Sequence, residues 1–198
     1  MRVAELQPAD AIEALKAGNA RFVAGSPRSE PFAPRIAQLA NGQSPFAIVL
    51  GCSDSRVPIE IVFDQVPGNL FVVRVAGNFL NAEGFGSIEF AVYALKSKLI
   101  VVLGHENCGA VSAALDYVRD GKGQPGHIQE LVEGIAPAVR ATRGSPGDWH
   151  ENAIVQNVAL NVKAMTAGSS IIAEAVDRGE VQVIGGIYSV RTGHVSFT

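Results

Sequence analysis

Four apolar runs without alternation, residues 46–50, 70–75, 99–103 and 181–187, punctuate the chain. A strand with one wet face is apolar at every second position, whereas a strand covered on both faces is apolar throughout. The runs therefore predict buried strands of a parallel sheet lying between helical layers. Helical spacing fills the intervals. Residues 8–24 set Ala11, Leu15, Ala20, Phe22 and Val23 on spacings compatible with one face, with Asp10 as the expected N-cap. Patterns at 58–63, 87–96, 110–118, 128–140, 153–165 and 170–177 predict further helices, the last stopped by Gly179. Residues 26–34, rich in Pro, Ser and Arg, read as a looser connection long enough to reach over a neighbouring molecule. The tail combines the fourth strand, a turn near Thr192 and Gly193, and a short edge strand. This alternation defines the fold class as α/β: a mostly parallel β-sheet of about four strands plus an antiparallel edge strand, flanked by helices, with right-handed crossovers.

Composition narrows the partners. Of the 198 residues, 47% are hydrophobic and only 18% charged, below the usual quarter or so. A chain with so few charges has difficulty coating its own surface, so part of that surface is expected to meet another subunit. The net charge of −3 excludes a strongly basic nucleic-acid binder, which needs a cationic face for phosphates. No stretch approaches the ~20 apolar residues of a membrane span, and residues 1–19 lack a signal-peptide core. A cytoplasmic protein with no membrane partner is expected. Two cysteines, Cys52 and Cys108, are too few for a secreted disulfide scaffold.

Both cysteines follow predicted strands. The first run leads into Gly51-Cys52-Ser53-Asp54-Ser55-Arg56, the third into Gly104-His105-Glu106-Asn107-Cys108-Gly109. Open parallel sheets bind ligands at the carboxyl ends of their strands, near the point where strand order reverses. If the two strands are neighbours, Cys52, His105 and Cys108 converge. Two thiolates and one imidazole make a tetrahedral zinc site with one vacancy, the donor set of a catalytic rather than a closed structural centre. Either fragment alone is as well explained by packing; together they use every cysteine in the chain. Asp54 is the fourth candidate donor, and Arg56 is placed to hold it through two parallel hydrogen bonds. Possession of Asp54 by Arg56 or by the metal would open or close the site.

These segments closely resemble the signature of the β-class carbonic anhydrases. The resemblance extends over most of the chain, through Gly42-Gln43, Pro67-Gly68-Asn69-Leu70-Phe71-Val72-Val73-Arg74, Ala76-Gly77-Asn78, Ser87-Ile88-Glu89-Phe90 and Gly186-Ile187-Tyr188. It implies a single domain, 1–198, with an N-terminal helical arm (1–40) that clasps a partner and a zinc-binding core (41–198). It implies reversible hydration of carbon dioxide to bicarbonate and a proton by zinc-bound hydroxide, with one zinc per subunit in a homodimer or dimer of dimers. Carried over, Cys52, His105 and Cys108 would ligate zinc, with Asp54 and Arg56 as the catalytic dyad. Gln43 would donate to substrate across the subunit interface, and Phe71, Phe90 and Gly104 would complete the carbon dioxide pocket. Two departures stand out. Phe90 occupies a position that is Tyr in plant-type members. Val49 replaces the Trp that, with residues matching Arg74 and Tyr188, forms an inhibitory bicarbonate site in some bacterial members.

Two thiolate donors predict activity favoured by alkaline pH, since they leave the metal less able to acidify water than imidazoles do. His127, His150 and His194 read as surface residues rather than proton relays. Asn152, Asn157 and Asn161, which interrupt an apolar helix, read as packing hydrogen-bonders. Rival functions on the same scaffold are hydrolysis of carbon disulfide or carbonyl sulfide, and a non-catalytic zinc- or bicarbonate-binding role.

Overall fold

A computed structural model describes residues 6–28 and 31–198. Strands β1 (Ala47–Gly51), β2 (Leu70–Arg74), β3 (Leu99–His105), β4 (Gln182–Tyr188) and β5 (Val195–Phe197) form one sheet in the order β2-β1-β3-β4-β5. The first four are parallel and β5 pairs antiparallel with β4, so the expected architecture is the observed one. Helices α1 (Pro8–Val23), α2 (Phe32–Gln38), α3 (Ile59–Val62), α4 (Ala82–Tyr93), α5 (Gly109–Asp120), α6 (Ile128–Ala141), α7 (Trp149–Ala167) and α8 (Ser170–Asp177) surround it. No described helix is long and apolar enough to cross a membrane.

The unalternating runs have a direct cause. Every residue of β1 and β3 is buried, and alternate side chains enter opposite layers. Val49, Leu99, Val101 and Leu103 pack with Ala11, Leu15, Ile59 and Phe63 under α1 and α3. Ile48, Leu50, Ile100 and Val102 pack with Ile88, Val158, Met165 and Ile172 under α4, α7 and α8. Each fully buried Ile or Leu contributes about 2 kcal/mol to this double core.

Several boundaries differ from the sequence expectation. Asp10 does not cap α1: Gln7 holds the N-cap position and Pro8 starts the helix, so Asp10 instead places a negative charge in the first turn. The buried seam of α1 is Ala11, Leu15, Gly18 and Asn19, while Ala20 and Val23 face outward. Gly18 allows the helix to lie on the chain at Phe63, whose carbonyl oxygen would sit 1.8 Å from an added Cβ. Asn19 then closes the contact, donating to the carbonyls of Val62 and Gly193 and accepting from Val195 N–H. The segment expected to be loose, 26–34, runs into the first turn of α2, and residues 29–30 of it lie outside the described residues, as do 1–5. Helices α4 and α7 start earlier than their apolar patterns because Asn81 and Asp148 cap them, accepting from Gly84 N–H and Glu151 N–H.

Candidate metal centre

The order β2-β1-β3 places successive connections from β1 on opposite sides, so the strand-order reversal falls between β1 and β3. Cys52 directly follows β1, His105 ends β3, and Cys108 holds the N-cap position of α5. Asn107, at a φ of 55°, turns the chain sharply between the last two. The three side chains meet: all are buried, and their donor atoms lie within 4.8 Å of one another. The two sulfurs are 4.0 Å apart.

The imidazole is set for coordination. His105 Nδ1 donates to the Glu106 carbonyl at 2.9 Å, which fixes the tautomer and leaves a lone pair on Nε2. Nε2 itself is buried without a hydrogen-bond partner. A buried polar atom with no partner is costly, and a metal ion between it and two sulfurs would satisfy it; the donor set fits zinc. Cys52 is the more acidic thiol, pulled down first by its hydrogen bond with Cys108 and then by the neighbouring His105 and the amides of Gly77 and Asp54. Cys108 is pushed up by the same Cys52 contact and by burial.

Beside the cluster, Asp54 is gripped by Arg56, whose Nε and Nη2 donate to its two carboxylate oxygens at 3.0 and 2.8 Å, and whose backbone N–H adds a third bond at 2.9 Å. The guanidinium holds the Asp54 carboxyl well below the usual carboxylate range. Arg56 also donates to the Asn107 carbonyl, tying the two strand-end loops together. Both Asp54 carboxylate oxygens are thus engaged by Arg56.

Other residues singled out by sequence lie elsewhere. Gln43 is exposed on the N-terminal side of β1, at the opposite end of that strand from Cys52. Phe71 pairs in register with Ile48, three positions before Gly51, about 10 Å back along the sheet. Its ring lies 6.5 Å from that of Phe90, which is 53% exposed. Gly104 faces α7: an added Cβ would stand 2.6 Å from Val158 Cγ2, so its bareness brings helix and sheet together. Val49 and Tyr188 are buried, and Arg74 donates to the carbonyls of Cys52 and Asp54 at 2.9 and 2.7 Å.

That bracing role of Arg74 was not read from the sequence, nor was the Gly77 N–H, 3.3 Å from Cys52 Sγ. His150 is not simply a surface residue: its Nε2 lies 3.1 Å from the Cys108 carbonyl oxygen and 3.0 Å from Ser112 Oγ. A signal existed only for Gly77, where Ala-Gly-Asn after a strand announces a turn.

Comparison with known proteins agrees with this geometry. The family model described as carbonic anhydrase matches residues 47–195. Carbonic anhydrase 2 of Mycobacterium tuberculosis is 43% identical over 187 residues, covering 94% of this chain and 90% of that protein. Among solved structures, the β-carbonic anhydrase CafA of Aspergillus fumigatus superposes with a TM-score of 0.73 at 28% identity, over 96% of this chain and 89% of its own. One of two tetrameric β-carbonic anhydrases of Sordaria macrospora gives a TM-score of 0.71 at 26% identity, over 96% and 95%.

Proposed function

The chain belongs to the β-class carbonic anhydrase family, and from that membership we propose that it catalyses zinc-dependent, reversible hydration of carbon dioxide to bicarbonate. The observation that carries the zinc reading is the buried Cys52–His105–Cys108 cluster with His105 Nε2 left unpartnered. Zinc held there supplies a Lewis acid that makes a hydroxide nucleophile available near neutral pH.

The chain's own residues do the rest. Arg56 keeps Asp54 ionised and fixed, so that Asp54 accepts a hydrogen bond from the attacking solvent and turns its lone pair towards carbon dioxide. Arg56 ties the two loops together and Arg74 braces the one that carries Cys52 and Asp54, so the distance between Asp54 and the three candidate ligands is held. Carbon dioxide carries no charge and needs only a dry apolar wall. Gln43 and Phe90 are exposed and, with the half-buried Phe71, stand away from their own cluster, as residues do that serve the site of a second subunit. A homodimer or dimer of dimers follows, in keeping with the tetrameric Sordaria relatives. Ligand cysteines that must stay reduced favour the cytoplasm.

Stopped-flow hydration with a pH indicator, on protein whose zinc content is measured, tests the proposal. Zinc-dependent turnover on carbon dioxide is expected. Turnover only on carbon disulfide or carbonyl sulfide would reassign the substrate, and stoichiometric zinc without any turnover between about pH 7 and 9, the window around the pKa of zinc-held water, would refute the enzyme.

A further inference from the structure

The metal cluster is fastened from a helix that supplies none of its ligands. Gly77 lies in the 3-10 turn Ala76–Asn78 that follows β2, and its N–H points at Cys52 Sγ from 3.3 Å. Only glycine fits there. Its φ is +75°, and an added Cβ would lie 2.4 Å from Ile135 Cδ1 and 3.1 Å from Ala110 Cβ. Such a residue rotates freely unless something holds it.

Two asparagines of α7 do so. Asn157 Nδ2 donates to the Gly77 carbonyl at 2.8 Å, and Asn161 Oδ1 accepts from Leu80 N–H at 2.8 Å. Between them, Asn161 Nδ2 reaches Asn157 Oδ1 at 3.2 Å and the Asn157 carbonyl at 2.8 Å. The backbone groups at either end dictate every amide orientation. Leu80 N–H can only donate, so Asn161 presents its oxygen there and its amino group to Asn157. Gly77 C=O can only accept, so Asn157 presents its amino group. Both side chains are buried, at 2% and 7% exposure, where an unpaired amide costs about 1–3 kcal/mol. The two amides therefore stand or fall together.

We propose that Asn157 is a positioning residue for the metal centre: by pinning the Gly77 carbonyl it keeps the Gly77 N–H on the Cys52 sulfur. The proposal rests on the zinc reading above. An N–H bond draws charge from a ligand sulfur and directs its remaining lone pairs, and such outer partners change metal affinity about 10–100-fold.

The test uses the metal-loaded protein. In Asn157→Ala, zinc is expected to pass to a chelator about tenfold faster, the lower end of that range. The cobalt-substituted variant should show its thiolate-to-cobalt charge-transfer band at longer wavelength, because a sulfur relieved of a hydrogen bond gives up charge more easily. Met165→Ala, a buried deletion near the C-terminal end of α7, should lose stability without moving the band. An Asn157→Ala protein that binds one cobalt with an unmoved band and an unchanged release rate overturns the proposal. If that variant does not fold, the wild-type protein loaded with cadmium-113 decides: a scalar coupling between the Gly77 amide proton and cadmium supports the contact, and its absence refutes it. A wild-type protein that binds no metal would instead sink the zinc reading itself.

Discussion

Substituting Gly18 by Ala separates a general propensity from a specific contact. In a helix interior, Gly to Ala ordinarily stabilises by about 1 kcal/mol. At Gly18 the new Cβ would stand 1.8 Å from the Phe63 carbonyl oxygen and 2.8 Å from the Phe63 carbonyl carbon. Both obstructing atoms belong to backbone, so neither can rotate away. Ordinary contact begins near 3.4 Å, so α1 must lift by about 1.6 Å. The neighbouring Asn19 bonds, of 3.1, 2.8 and 2.9 Å, cannot stretch that far. Three bonds, two of them buried and one partly so, at roughly 1–1.5 kcal/mol each come to about 4 kcal/mol; less the propensity gain, the variant should be destabilised by about 3 kcal/mol. Against a typical total of about 5–15 kcal/mol, that is a large displacement. Urea denaturation followed by circular dichroism should show a lower midpoint with an unchanged slope. Gly86 in α4, whose added Cβ would meet nothing within 4 Å, is the control: Gly86→Ala should be neutral or stabilising by up to about 1 kcal/mol. If Gly18→Ala proves as stable as Gly86→Ala, α1 does not dock as described.

Other outcomes follow from the metal centre. Cys52→Ser should lose stoichiometric zinc by elemental analysis while keeping its helical circular dichroism, because the double core does not depend on that sulfur. Asp54→Asn should retain zinc yet slow hydration about 10²-fold, as expected for loss of a positioned acceptor; an unchanged rate would remove Asp54 from the mechanism. Stripped of metal and treated with diamide, which takes up two electrons and two protons, the protein should form a Cys52–Cys108 disulfide, seen as a loss of two hydrogen atoms by mass spectrometry. The two thiols are buried together with sulfurs 4.0 Å apart, and bound zinc should protect them.

The strands and the convergence of Cys52, His105 and Cys108 were legible because their signals are local. β3 is buried at all of its positions, and the Gly-His-x-x-Cys turn sits at its end, so one stretch of sequence announces both the strand and two donors. The support of the site was not legible. Asn157 meets Gly77 across 80 residues and Asn161 meets Leu80 across 81; within its own helix each is only a polar residue among apolar ones. Gly18 and Asn19 look like helix-weakening residues until Phe63 and Val195 are placed beside them. Asp10 misled for the opposite reason, a good capping residue three positions inside a helix that Pro8 had already begun. The spacing of Gln43, Phe71 and Phe90 from the cluster was equally invisible, since it depends on strand register.

The seam beneath α1 also sets an order of events during synthesis. Asn19 leaves the ribosome 174 residues before Gly193 and 176 before Val195. At roughly 5–20 residues per second, that interval lasts roughly 9–35 s. Throughout it the polar side chain at the centre of the seam has one of its three backbone partners at most, the Val62 carbonyl. Two of the three hydrogen bonds that close the seam of α1 thus form only when the chain is nearly complete. A nascent chain paused before Gly193 presents chaperones and proteases with a helix whose berth is only half built.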